Sequence, residues 1–265
     1  MTVKDSEGQL LAKKHEAVGW IVVSNPSKRN ALSLEMWRQL RTLLRTHDAD
    51  PEVRVIAITG DGDRAFCSGA DLDELDRIGG KDAHMAYVDT IEPGYQAPLE
   101  CTKPVVAAVR GICIGGGLGL AAACDVRLVA ADAVFRMSPA KLGIGYGIAG
   151  IQRLVELVGS ARTAELFFSA RTLGADEAEA MGLASHVFAV AEFDRKVDEW
   201  LERVAANAPL TIAAVKHALA QLAKNPAERD LDAVASRVAH CFESEDYDEG
   251  RRAFFERRAA RFLGK

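Results

Sequence analysis

The chain has 265 residues, 49% hydrophobic and 27% charged, with a formal net charge of −5. That length can bury a large core, and the acidic balance argues against nucleic acid as the main partner. Cys67, Cys101, Cys113, Cys124 and Cys241 form no C-x-x-C pair and read as reduced, buried thiols rather than a disulfide or zinc frame. The first residues, MTVKDSEGQL, lack the apolar core of a signal peptide, and no apolar run approaches the ~18 residues of a membrane helix. The expected setting is the cytoplasm, with no membrane partner and no metal.

In chain order, Trp20–Ser24 is a strand closed by the turn signal Asn25-Pro26-Ser27. Ser33 caps a helix whose apolar face is Leu34, Trp37, Leu40 and Leu44. Val53–Thr59 is a buried strand. It ends at Gly60, passes a polar turn at Asp61–Arg64 and reaches Ala65-Phe66-Cys67-Ser68-Gly69-Ala70-Asp71-Leu72. Residues 73–100 read as charged and irregular, broken by Gly79-Gly80 and Pro93-Gly94, and serve either as a mobile cover over a site or as plain surface.

The run KPVVAAVRGICIGGGLGLAAACD, Lys103–Asp125, repeats that plan: a strand at Val105–Val109, Gly111, a cysteine, clustered glycines, then a buried helix. Glycines at the start of a helix leave backbone N–H groups open to close approach by a ligand. Three familiar motifs fail here. A dinucleotide fingerprint from Gly115 needs glycine at Leu120, a P-loop ending at Gly80-Lys81 meets Leu75 and Asp82, and a nucleophile elbow at Ser68 meets Phe66. Further on come a strand at Val126–Ala130 and a loop at Phe135–Tyr146. Helices follow at Ile148–Leu157, Ser160–Ser169 and Asp176–Met181, then a last strand at Leu183–Phe188. Beyond Ala191 the pattern is helical, broken at Pro209 and Pro226. The fold class is α/β. From Arg251 to the C-terminus six basic residues stand against Glu256 alone.

The segments NPSKRNALS, VRVIAITGDGDRAFCSGADL, KPVVAAVRGICIGGG, the alanine-rich run ending in Cys124-Asp125, and DEGRRAFFERRAARF together resemble the crotonase superfamily, also called the enoyl-CoA hydratase/isomerase superfamily. They do so in order and with its usual spacing over nearly the whole chain. The resemblance implies a crotonase-like spiral of strand–strand–helix turns over residues 1–200 and a C-terminal helical region, 201–265, that assembles homotrimers or homohexamers. It implies an acyl-CoA thioester as ligand and no resident cofactor, coenzyme A arriving as part of the substrate. The backbone amides of Ala70 and Gly116 would stabilise the thioester enolate or oxyanion. Lys28 and Arg29 would lie near the nucleotide end of CoA. Ala31, Asp71 and Leu72 would line the pantetheine and adenine pocket, and Arg257 or Arg258 would reach a neighbouring subunit's phosphates.

The departures from the family pattern shape the reaction. Where hydratases of this family carry two catalytic glutamates, this chain has Gly119 and, after Pro139, Ala140, and neither can transfer a proton. Tyr146 is the polar group that the resemblance places at the acyl end. Its loop is similar to that of methylmalonyl-CoA decarboxylase, which has tyrosine there but histidine where this chain has Ala70. Three readings follow. The first is a CoA-thioester decarboxylase, hydrolase, isomerase or ring-acting enzyme oriented by Tyr146. The second is a hydratase recruiting Asp73, Glu74 or His84, and the third a non-catalytic acyl-CoA-binding protein.

Overall fold

A computed structural model describes residues 8–265, apart from the side chains at 80–84, 86 and 87, so the candidate His84 side chain lies outside the described residues. The chain opens on the antiparallel pair β1 (Gln9–His15) and β2 (Val18–Ser24) and enters α1 (Leu34–Ala49). Three turns then share one plan. β3 (Val55–Gly60) and β4 (Ala65–Cys67) lead to α2 (Leu72–Ile78) and α3 (Gly80–Glu100). β5 (Val105–Val109) and β6 (Ile112–Ile114) lead to α4 (Gly116–Ala123). β7 (Val126–Ala130) and β8 (Val134–Arg136) lead to α5 (Pro139–Leu142) and α6 (Ile148–Ser169). After β9 (Thr172–Gly174), α7 (Ala175–Ala180) and β10 (His186–Phe188), the described chain continues as α8 (Phe193–Ala205), α9 (Pro209–Leu222), α10 (Leu231–Phe242) and α11 (Glu245–Glu256).

The first strands of the turns join in one sheet, ordered β1-β2-β3-β5-β7-β10, and the second strands in another, β4-β6-β8-β9. Within them β2, β3, β5, β7 and β10 are parallel, as are β4, β6 and β8. Each turn therefore advances one strand in both sheets, which is a spiral of strand–strand–helix turns.

The larger sheet is covered on both faces, which is why VRVIAIT and VVAAV carry so little polar alternation. Val55, Ala57, Val106, Ala108 and Leu128 pack beneath Phe193, Val197 and Leu201 of α8. Ile56, Ile58, Ala107 and Val129 turn the other way, into the core with α1 and α4. Each valine, leucine, isoleucine or phenylalanine among them contributes about 1.5–3 kcal/mol when fully buried. Ser33 caps α1 as expected, its hydroxyl accepting from the Met36 amide at 3.2 Å. Leu34, Trp37, Leu40 and Leu44 form the buried face.

Several expectations are corrected. The segment 73–100 is not irregular: α2 and the 21-residue α3 fill it, with Pro93 and Pro98 inside the helix. Gly94 is a close-approach glycine rather than a breaker, since a Cβ there would lie 2.9 Å from Trp37 Cζ3. The Trp37 ring instead meets Tyr95 edge-on at 5.2 Å. The supposed loop Phe135–Tyr146 holds the end of β8 and all of α5, and strands β1 and β9 were not anticipated. By contrast, the two helices expected on either side of 158–159 are present: α6 is two helical segments joined at Gly159, whose φ of 80° and ψ of 163° are not helical.

The C-terminal helices are tied inward by a buried cation. Lys216 Nζ on α9 donates to Asp125 Oδ2 at 2.7 Å and to the carbonyls of Pro98 and Lys103 at 2.8 and 2.9 Å. The same Asp125 oxygen accepts from the Val105 amide at 2.7 Å. No helix among the described residues is long and apolar enough to cross a membrane.

Candidate active site

Two loops of the same plan meet at the mouth of the spiral. After β4, Gly69 has φ 106°, and after β6, Gly115 has φ 54°, backbone that glycine adopts without penalty. The first loop is braced by the NPSKRNAL segment. Leu32 N donates to Gly69 O at 2.8 Å, Asp71 N to Leu32 O at 3.0 Å and Ser68 N to Arg29 O at 3.1 Å. The second is fixed by Gly115 N on Arg136 O at 2.9 Å. The loops touch so closely that a Cβ on Gly117 would collide with the Cys67 carbonyl, 2.8 Å from its carbon.

This contact brings Ala70 and Gly116 to one cavity of about 320 Å³. Neither of their amides donates a hydrogen bond among the described residues. Two unbonded backbone donors at a partly open, largely apolar cavity can stabilise an oxyanion, each such donor being worth ~10²–10³ in rate.

Tyr146 lines the same cavity. Its hydroxyl shares a 2.9 Å hydrogen bond with that of Tyr95, and the rings stack at 6.1 Å. Burial pushes the Tyr146 phenol above the ordinary tyrosine range, with the Tyr95 hydroxyl pulling the other way. It therefore stays neutral and can donate or accept but not act as an anionic base near neutral pH. A Cβ on Gly119 would meet Tyr146 Oη and lie 2.6 Å from Tyr95 Oη, so the tyrosine pair fills the space a side chain at 119 would enter. Ala140 is exposed and does not line the cavity, whereas its neighbour Pro139 is buried and does. From this turn Ser138, Pro139, Lys141 and Leu142 line the cavity, so residue 140 is skipped.

Of the residues expected around coenzyme A, Ala70 and Leu72 line the cavity, Leu72 half exposed. Lys28, Arg29, Ala31 and Asp71 do not, because they build the brace behind it. Asp71 is buried, caps α2 and accepts Lys28 Nζ at 2.8 Å on both oxygens. Hydrogen bonds to Asp71 and then Asp73 push the Lys28 ammonium above its ordinary value. Ala31 is in the core, and Arg29 projects into solvent from left-handed backbone, φ 53°. Arg257, exposed at the end of α11, is away from this cavity, and its neighbour Arg258 is held by Glu249 and Glu256. Asp73 pairs with Lys28, and Glu74 accepts the Leu34 amide at 2.8 Å, so neither acid reaches the cavity.

Sequence reasoning missed Glu92 and Tyr95. With Val88 and Ile91 they line the cavity from α3 at i, i+3, i+4 and i+7, the stripe of one helical face. The signal was present but masked by Pro93-Gly94 in its middle.

The enoyl-CoA hydratase/isomerase family pattern matches residues 13–265. The chain belongs to that family. This family member is 34% identical over 254 residues to the peroxisomal Delta(3,5)-Delta(2,4)-dienoyl-CoA isomerase of Arabidopsis thaliana, covering 91% of each chain. It is 30% identical over 256 residues to the crotonyl-CoA hydratase of Syntrophomonas wolfei, covering 97% of this chain and 98% of that one. A solved enoyl-CoA hydratase/carnithine racemase from Magnetospirillum magneticum superposes with a TM-score of 0.91 at 30% identity, over 98% of this chain and 97% of that one. As a member of the family, the chain is placed among enzymes that act on CoA thioesters.

The hydroxyl of Tyr146 gives a prediction here. Tyr146→Phe keeps the ring packed against Tyr95 and against Phe167, 5.1 Å away, and removes one hydrogen bond. Turnover on the enzyme's CoA ester should fall about ten- to thirtyfold, or ~1–2 kcal/mol, with coenzyme A affinity unchanged. Unchanged turnover would reduce Tyr146 to a packing residue.

Proposed function

We propose that this chain processes an acyl-CoA thioester by stabilising its enolate on the Ala70 and Gly116 amides, with Tyr146 and Tyr95 orienting the acyl group, and that it is not an ordinary enoyl-CoA hydratase. The observation that carries the reading is the convergence of two unbonded amides, from separate turns of the spiral, on one cavity. The second part rests on Gly119, whose side-chain space the tyrosine pair occupies, and on Pro139 and Ala140, which carry no proton. Isomerisation, decarboxylation and thioester hydrolysis all draw on such an oxyanion site. Proton movement within the acyl chain fits this cavity best, since its described lining offers one carboxylate rather than two.

Calorimetry with butyryl-CoA and crotonyl-CoA tests the core of the proposal. Binding in the micromolar range is expected, near −8 kcal/mol for a Kd of ~1 μM. A panel of CoA esters with no binder tighter than ~1 mM would overturn it.

We further propose that the chain forms a closed homotrimer or homohexamer, whose assembly would bring Arg257 to a neighbour's nucleotide-binding end. The support is an apolar groove of about 730 Å³ among the C-terminal helices, with Phe254 and Phe255 largely exposed beside it. A monomer mass by light scattering at micromolar concentration would remove this part.

A further inference from the structure

Glu92 is the acidic group of the cavity, and the roles above leave it unused. It is partly buried on α3, one turn before Tyr95, and it is the one carboxylate among the described lining residues. No hydrogen bond or ion pair engages it among those residues. Its position is built in from the other side by Gly147. A Cβ at 147 would fall on Glu92 Oε1 and lie 2.7 Å from its Cδ, so the chain keeps this place empty for the carboxylate. Gly147 is also the N-cap of α6, which has no side-chain cap and no acidic residue in its first turn. Glu92 thus stands at the positive end of that helix.

The other groups of the cavity are poorly suited to taking a proton. The Tyr95 and Tyr146 hydroxyls are engaged with each other, and burial keeps the Tyr146 phenol neutral. Arg136 and Lys141 are cations, and Arg136 is tied to the Thr172 hydroxyl by its Nε at 3.0 Å. Ser68 donates its hydroxyl to the Lys28 carbonyl at 2.9 Å.

We propose that Glu92 is the proton-transfer group of this site, the base that removes a hydrogen from the acyl chain next to the thioester and returns it. The inference rests on the enolate reading given above. In the forward step the C–H bond at the α-carbon breaks and the proton goes to the Glu92 carboxylate. The electron pair moves into the thioester, placing negative charge on the oxygen faced by the Ala70 and Gly116 amides. In the return step the Glu92 carboxylic acid gives its proton back to carbon and the carbonyl re-forms. Return to the α-carbon regenerates the substrate. When the acyl chain is unsaturated at the β,γ position, return to the γ-carbon instead leaves the conjugated isomer. One carboxylate suffices for both halves, with no water added and no oxidant or reductant consumed.

The test is hydrogen exchange at the α-carbon of butyryl-CoA in D2O, read by mass spectrometry, with binding measured in parallel by calorimetry. Wild type should incorporate deuterium. Glu92→Gln should slow incorporation ~10²–10⁴-fold while binding butyryl-CoA within about threefold of wild type. Glu92→Asp, which keeps the charge on a shorter arm, should exchange faster than Glu92→Gln. Equal exchange by wild type and Glu92→Gln, the reverse order of the two variants, or binding by wild type without exchange would each overturn the assignment while leaving the acyl-CoA reading intact. Failure of wild type to bind butyryl-CoA or the other CoA esters would instead overturn that reading, and the role of Glu92 with it.

Discussion

Crotonyl-CoA hydration by this chain should run ~10²–10⁴-fold below the ~10 per second turnover of an average enzyme. Adding water across a conjugated double bond requires one group to deprotonate the water and another to protonate the α-carbon. The described cavity supplies one carboxylate, Glu92, and its phenols are a hydrogen-bonded pair of which burial keeps Tyr146 neutral. One missing acid or base accounts for the whole of that deficit. The absorbance decrease of the enoyl thioester would follow the reaction directly. A turnover near ~10 per second would mean that a second proton carrier has been overlooked.

Gly119→Glu is expected to destabilise the protein rather than endow it with hydratase activity. The new Cβ would lie 2.6 Å from both Cζ and Oη of Tyr95 and collide with the hydroxyl of Tyr146, before the rest of the side chain is placed. Overpacking of this kind costs about 1–3 kcal/mol, more than the roughly 0.5–1 kcal/mol gained by removing a glycine from helix α4. Chemical denaturation should show the lower midpoint. Trimming one obstacle should make the cost fall, so Gly119→Glu should be less harmful in a Tyr146→Ala background than alone, a coupling that a double-mutant cycle reads. A stable Gly119→Glu protein with raised crotonyl-CoA hydration would show that the tyrosines yield and that residue 119 alone decides the reaction.

The parts of the fold visible in the sequence were those where local chemistry and tertiary packing agree. Ser33 caps α1 because its hydroxyl serves the Met36 amide whatever else is nearby. The run from Val55 to Ile58 could only be a strand buried on both faces. The two glycine units were visible because backbone lies so close to Gly60, Gly111 and Gly117 that a Cβ there would collide with it. The third turn of the spiral escaped as a unit because Val134–Arg136 and Pro139–Leu142 are too short to show a period. Strand β1 escaped because QLLAKKH leaves most of its side chains at the surface, with only one neighbouring strand to pattern against. The α3 wall of the candidate site was lost for a different reason. Pro93 and Gly94 have low helix propensity, yet packing on Trp37 holds α3 together through them. The stripe carrying Glu92 and Tyr95 was therefore read as broken chain. For the coenzyme A candidates Ala31 and Asp71 the segment alone does not reveal side-chain direction: Ala31 is in the core and Asp71 caps α2.

The pair of buried Lys216 and half-buried Asp125 joins parts of the chain that are made far apart in time. Asp125 lies between α4 and β7, and its cation follows 91 residues later, while the Pro98 carbonyl that shares the cation precedes it by 118. A nascent chain thus has its glycine loops and most of the large sheet in hand while that carboxylate still lacks its counter-charge. The contact of α9 with the middle of the spiral is therefore among the last that a growing chain can make, since Lys216 is synthesised long after Pro98, Lys103 and Asp125.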